Sequence, residues 1–256
     1  MAKHWVFNDC LMAICMDESC CRPLEEAESA FFSREAVLKK YECFKTLIEK
    51  VTSAEKPLYL EDFLREASIS PGQKVLEVGI NPGYLAVYLA EIVGDKGKVV
   101  LVQLDRIITA DAKENIAKHR LENIVEVTEA RMEKIPFISN YFDTVLSDRT
   151  TSLIKDKSTL IKEMARVTKI GGKIVIADCI LRKPFMKNQV EQFRRDFACV
   201  FQAASIEKYV DIFENSELKN IRIVGFMDEK CVKPHARIAR IVQGRLGFAV
   251  ISGVKK

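Results

Sequence analysis

The chain reads as an α/β domain: an open, doubly wound sheet of seven mostly parallel strands, helices between them, and an antiparallel last strand. Three observations predict this. From residue 74 onward, short Val/Ile-rich runs alternate with amphipathic stretches. The runs are apolar almost throughout rather than at every second residue, as expected of strands covered on both faces. The last two runs, "NIRIVGF" and "LGFAVISGV", have no full crossover helix between them, so the second should return antiparallel.

The elements follow in order. Residues 1 to about 30 are irregular and Cys-rich. "SREAVLKKYECFKTLIEKVTSAE" predicts a helix over 33–55, with Val37, Tyr41, Phe44, Ile48 and Val51 on one stripe and Ser33 as N-cap. A short helix around 60–67 precedes the Pro71-Gly72 turn. "KVLEVG" is then a strand, and Leu85, Tyr88, Leu89 and Ile92 repeat at helical spacing over 84–92. "GKVVLVQLD" is a strand, 109–119 a helix, and "NIVEVTE" and "YFDTVLSD" are strands. "KSTLIKEMARVTK" is a helix with Leu160, Ile161, Met164 and Val167 inward; "GGKIVIADCI" is a strand behind the Gly171-Gly172 turn. Helices over 187–201, with Val190, Phe193, Phe197 and Val200 on one face, and over 205–215 lead into the final two strands.

Length and composition narrow the function. At 256 residues and 48% hydrophobic, the chain can bury a large core as one domain with an attached piece. A net charge of +4 is too mild to argue for nucleic acid. No apolar run approaches the roughly 20 residues of a membrane span, and no leader-type cleavage site follows the partly apolar start, so the expectation is a soluble cytoplasmic protein without membrane partners. The eight cysteines fall at 10, 15, 20, 21, 43, 179, 199 and 231, and should be thiols in that compartment. Cys10, Cys15, Cys20 and Cys21 match no zinc or iron–sulfur spacing. No repeat or low-complexity segment is present.

In a doubly wound sheet, ligands bind beyond the C-terminal strand ends, where the strand order switches. That location collects Glu77 to Gly83, Asp105, Ala130 to Glu133, and Ser147 to Arg149. Glycines in the first turn let backbone approach a ligand, and an acid closing the second strand can bind both ribose hydroxyls. The turn carries Gly79, Asn81 and Gly83 at every second position. The motif E-V-G-I-N-P-G, from Glu77 to Gly83, resembles the first motif of class I S-adenosylmethionine-dependent methyltransferases, [D/E]-x-G-x-G-x-G, with asparagine for the middle glycine. "EKIPFISNYFDTVLSD", "EMARVTKIGGKIVIAD" and the final hairpin resemble the family's later segments in order. The resemblance covers roughly residues 60–256. It implies a Rossmann-like class I fold, S-adenosyl-L-methionine as cofactor, and Glu77, Gly79, Asn81, Gly83, Tyr84, Asp105, Arg106, Arg131, Met132 and Ser147 around it. Met132 would pack on adenine, and Arg131 stands where the family often places an acid. Asn is the residue after Gly that most readily visits φ > 0, so Asn81 is expected to hold a left-handed turn and keep an altered but working site.

"LSDRTTSLIKDK" resembles a stretch of the arsenite methyltransferases and the related quinone-biosynthesis C-methyltransferases. Ser147, Leu153, Asp156 and Lys157 match; Arg149 stands in place of a metal-binding cysteine. Cys199, in "CVFQAASIEKYVDIF", falls on a second arsenic-binding position. Trivalent arsenic prefers about three thiolates, and an arginine cannot replace one, so arsenite methylation is not expected unless the N-terminal cysteines supply thiols. Asp148 and Arg149 are expected to face the transferred methyl group and orient the acceptor. Arg149 either holds an anionic acceptor or forms a salt bridge with Asp148 or Asp178. Cys179 either lines the same pocket or belongs to the core. No histidine is expected to act as base: His119 falls on an outer helix face, and His4 and His235 lie in poorly placed segments. Residues 1–59 and the Phe-rich 182–216 segment would cover the substrate.

The expected function is methyl transfer to a small molecule. A macromolecular acceptor is the first alternative: "KPHARIARIVQGR" puts Arg237 and Arg240 on one face, although no RNA-methyltransferase signature follows the fourth strand. A non-catalytic scaffold is the second, with Asn81 and Arg131 as its best support. The sequence leaves the methylated atom and any homo-oligomer open.

Overall fold

The computed structural model describes Leu38, Tyr41 and residues 58–154, 156–186, 203–227 and 244–256. The expected helices over 33–55 and 187–201 therefore lie outside the described residues except for Leu38 and Tyr41, as do Cys10, Cys15, Cys20, Cys21, Cys199, His4, His235, Arg237 and Arg240.

The described elements are α1 (Leu58–Ala67), β1 (Lys74–Gly79), α2 (Tyr84–Val93), β2 (Lys98–Gln103), α3 (Arg106–Lys118), β3 (Val125–Glu129), β4 (Phe142–Asp148), α4 (Lys157–Val167), β5 (Thr168–Leu181), α5 (Ile206–Glu214), β6 (Leu218–Met227) and β7 (Leu246–Lys255). They form one seven-stranded sheet of order β3-β2-β1-β4-β5-β7-β6. β1 pairs in parallel with β2 and β4, as do β2 with β3 and β4 with β5, whereas β7 runs antiparallel to β5 and β6. The antiparallel strand thus sits one place in from the edge, held on both sides. β5 begins earlier than its glycine pair suggests: Thr168 pairs with Phe142, and the register resumes after an irregularity at Thr144↔Lys173.

Side chains of successive strand residues point to opposite faces, and the core divides accordingly. On one face, Leu76, Val78, Val145, Ile174 and Ile176 pack with Leu160, Ile161 and Met164 of α4 and Tyr209 and Phe213 of α5. On the other, Val75, Val99, Leu101, Leu146 and Val175 pack with Tyr59 and Phe63 of α1 and Leu85 and Leu89 of α2. This two-sided burial is why the strands read as continuous apolar runs. It also sorts the polar groups at the strand ends. Glu77 pairs with Leu101 and Leu146, and so lies on the α1–α2 face with Asp148; Ser147 pairs with Val78 on the opposite face.

Candidate functional site

The sheet reverses its strand order between β1 and β4, and the turn after β1 opens there. Gly83, at φ 82 and ψ 13, caps α2 in the left-handed region, which glycine enters without the penalty a Cβ imposes. Asn81 is not among the non-glycine residues with positive φ. This corrects the expectation that it holds a left-handed turn. Its side chain does the work instead: Oδ1 accepts from the Gly83 peptide N–H at 2.8 Å, and Nδ2 donates to Glu77 Oε1. Its carbonyl accepts from Gln103 Nε2 at 2.7 Å, and Asn115 Nδ2 donates to the Pro82 carbonyl at 3.0 Å. An amide that accepts from the residue two further on is the ordinary way Asn stabilises a turn.

Gly79 explains how that amide fits. A Cβ there would meet Asn81 Nδ2 at 3.1 Å, Thr150 Oγ1 at 3.6 Å and Glu77 Oε1 at 3.8 Å. The space that glycine leaves open is lined by Glu77 and filled by Asn81. Glu77 is wholly buried, and burial pushes its carboxyl up to about 8 against the bond from Asn81. Its Oε2, together with Gln103 Oε1 and Ser147 Oγ, is buried without a hydrogen-bond partner among the described residues. Such groups are costly unless something supplies the missing contact.

Asp105 is buried and caps α3, its Oδ1 accepting from Ile107 N at 2.7 Å. Arg106 follows as an exposed residue. Arg131 is also exposed, with its Nε 3.8 Å from Glu133 Oε2, whereas Met132 is fully buried in the core. Tyr84 is partly exposed at the start of α2. The structure thus gathers Glu77, Gly79, Asn81, Gly83, Asp148 and Arg149 around one turn, and places Arg106 and Arg131 on the surface.

The end of β4 forms the second part. Arg149 Nη2 donates to Asp148 Oδ2 at 3.0 Å and Nε to Oδ1 at 3.2 Å. Tyr59 Oη donates to the same carboxylate at 3.1 Å, and the guanidinium sits 5.4 Å from the Tyr59 ring centroid, which packs on Phe248. Burial raises the Asp148 carboxyl despite Arg149. Arg149 has φ 48 and donates its peptide N–H to the Ala177 carbonyl at 2.7 Å. A left-handed arginine is strained, and these contacts hold it. Of the two partners anticipated for Arg149, Asp148 is the one found. Asp178 instead accepts from Thr151 Oγ1, from Ser152 N at 2.6 Å and from Cys179 N at 2.7 Å, while Tyr209 Oη bonds Thr151 Oγ1 at 2.9 Å. Cys179 is half-buried against the α1–α2 core. Tyr59 was not legible as a site residue: nothing in "KPLYLEDF" marks it, and only the docking of α1 brings it to β4. Among the described residues no His/Cys/Asp/Glu group could hold a metal ion.

A family described as a methyltransferase domain matches residues 69–217, more than half of the chain. The chain belongs to the methyltransferase domain family. The ubiquinone/menaquinone biosynthesis C-methyltransferase of Vibrio cholerae is 28% identical over 117 residues, covering 46% of this chain and 44% of that protein. The chain spans about half the length of the curated relatives it matches. The arsenic(III) S-adenosylmethionine methyltransferase of Chlamydomonas reinhardtii has a TM-score of 0.64 at 18% identity over 79% of this chain and 71% of that one. A putative sarcosine dimethylglycine methyltransferase from Galdieria sulphuraria has a TM-score of 0.64 at 14% identity over 90% and 94%. At these identities the structural likeness is one of fold. The resemblance to class I S-adenosylmethionine-dependent methyltransferases is borne out.

S-adenosylmethionine is the cofactor of this methyltransferase family, and the residues present fit it. The ligand is a sulfonium that also carries an ammonium group. The buried carboxyls of Glu77, Asp105 and Asp148 lie at this end of the sheet, and Asp148 pairs with the half-buried guanidinium of Arg149. An acid-rich, water-poor site with acceptors left over suits a cation.

Proposed function

We propose that the chain transfers a methyl group from S-adenosylmethionine to a small-molecule acceptor by direct in-line displacement. The observation that carries this reading is the cluster of buried, incompletely bonded acceptors at the switch point, Glu77 Oε2 and Gln103 Oε1, beside a glycine turn. The cofactor, when bound, supplies an activated methyl group. The chain then has to hold, orient and exclude water, and no covalent intermediate is required. Asp105, at the end of β2, would hold the ribose; Tyr84 and Ser147 would flank the methionine end. Met132 would support the adenine side from within the core. The Asp148–Arg149 pair, fixed by Tyr59, would wall the acceptor side.

An acceptor with its own carboxylate or phosphate would be held by the Arg149 guanidinium, beside Asp148 or in its place, so the anionic character rests on that contact. Residues 1–59 would form the substrate cover over a 60–256 methyltransferase domain. In support, Tyr41 is fully buried and donates from Oη to Asp111 Oδ2 of α3 at 2.8 Å. No described helix is long and apolar enough to cross a membrane. The test is calorimetric titration with S-adenosylmethionine and S-adenosylhomocysteine, with Asp105→Ala as control. Affinity in the micromolar range that the variant loses supports the reading, and transfer of a labelled methyl to candidate small molecules completes it. No binding of either ligand favours a scaffold that has kept the fold.

A further inference from the structure

The Asn81 side chain lies against Glu77 in the turn after β1. Three observations converge. The cleared space over Gly79 is filled by the Asn81 amide. That amide donates to one oxygen of Glu77, while the other oxygen, wholly buried, has no partner among the described residues. Asn81 is itself 3% exposed and tied at its carbonyl and its Oδ1 as well. A ligand whose ribose lay on Asp105 at the end of β2 would extend toward β1 and β4, where Glu77 and Asp148 stand. The cationic part of its amino-acid end is the group that a buried carboxylate attracts.

We propose that the Asn81 side chain is an internal stand-in for the ammonium group of S-adenosylmethionine. It supplies Glu77 with an N–H donor when the site is empty of ligand, and it must swing away before the amino-acid end of the cofactor can seat. The inference rests on the cofactor reading above. It assigns a weakened, conditional hold on the amino-acid end of the ligand, with the adenosine end unaffected. The displaced amide loses its bonds to Glu77 and Gly83 N–H, and the ammonium of the ligand replaces the first as a charge-assisted bond, the stronger kind. Because burial keeps Glu77 protonated near neutral pH, seating an ammonium there also expels a proton.

The discriminating pair of probes is S-adenosylhomocysteine, which has the amino-acid end, and 5′-methylthioadenosine, which lacks it. In the full chain, Asn81→Gly should tighten S-adenosylhomocysteine by about tenfold and leave 5′-methylthioadenosine within about twofold. Asn81→Ala, which keeps a Cβ and disturbs the turn less, should move the same way. Proton release, read by calorimetry in buffers of different ionisation enthalpy, should accompany only the ligand with the ammonium group. If both variants leave the ratio of the two affinities unchanged, or weaken S-adenosylhomocysteine, Asn81 is a structural brace and the inference fails while the cofactor reading stands. If neither the wild-type chain nor either variant binds any of the ligands, both fail together.

Discussion

Replacing Glu77 by Gln should flatten the dependence of stability on pH. Glu77 has an ordinary value of 4.5 when the chain is unfolded and about 8 when it is folded. Below 4.5 it is protonated in both states and adds no pH dependence. Between the two values the unfolded chain gives up the proton while the folded chain retains it, so stability falls as pH rises; above about 8 the fall is complete. At about 1.4 kcal/mol per pH unit, the gap sets a ceiling of about 5 kcal/mol. Rearrangement of the Asn81 turn and entry of water would reduce this, leaving a loss of about 2 kcal/mol or more. Glutamine keeps the shape and the acceptor for Asn81 and cannot ionise. The assay is urea unfolding followed by far-ultraviolet circular dichroism at intervals from about pH 5 to about pH 9, on wild type and Glu77→Gln. Other groups titrate in both proteins, so the difference between the curves isolates Glu77. The variant should gain steadily relative to wild type up to about pH 8 and then hold. Parallel curves would refute the reasoning, because they would mean that Glu77 is hydrated or already ionised in the folded chain.

Three further perturbations have definite expectations. Arg149→Met leaves Asp148 buried without its cation and should cost about 3–5 kcal/mol in urea unfolding; the Asp148→Asn, Arg149→Met double variant should recover part of it. Tyr59→Phe keeps the ring against Phe248 and Arg149 but removes the 3.1 Å bond to Asp148, so its cost should be about 1 kcal/mol by the same measurement. Gly83→Ala has room, since the new Cβ would lie 3.5 Å from its nearest neighbour, Ile116 Cδ1, but must hold φ 82. It should lose about 1–2 kcal/mol to backbone strain alone, read as a lowered melting temperature.

The sheet was legible because its strands are buried on both faces: nothing but Val, Ile and Leu satisfies Val75, Val78, Val99, Leu101 and Leu146 at once. Helix starts fell within a few residues of those read from periodicity, and in the structure Asp156 and Ser205 cap through their own side chains. The largest slip was at α3, expected from residue 109 and found from Arg106, because its cap is Asp105, a residue read for its ribose-binding chemistry. Asn81 illustrates the limit at the site. Residue type indicates that left-handed backbone is affordable to asparagine, yet the same side chain can stabilise a turn by accepting from the peptide two residues on. Composition cannot choose between these, and here Glu77 and Gly79 decide it, one by offering an acceptor and the other by leaving room. Tyr59 was hidden for a different reason: α1 packs across β5, β6 and β7 and carries the Tyr59 hydroxyl to Asp148 at the end of β4, a contact with no local signature.

The end of β4 carries the argument about acceptor chemistry. A buried ion pair is a poor way to gain stability, since desolvation consumes most of the attraction, and a left-handed arginine adds strain. This chain accepts both at Asp148 and Arg149, beside the turn after β1, and then fixes them with Tyr59, the Ala177 carbonyl and the Thr150 hydroxyl, which donates to the Asp148 carbonyl at 2.9 Å. Stability alone would favour an apolar pair of the same volume. What the ion pair adds is a guanidinium held in one orientation by its carboxylate. A cysteine at the position of Arg149 could bind a soft metalloid; a guanidinium fork suits planar oxygen groups and does not bind thiophilic ions. If that is its purpose, Arg149→Lys, which keeps the charge and loses the fork, should retain cofactor binding while lowering kcat/KM for any oxyanion acceptor by about tenfold or more. Equal turnover in the two proteins would make the pair a wall of the pocket and move the search to neutral acceptors.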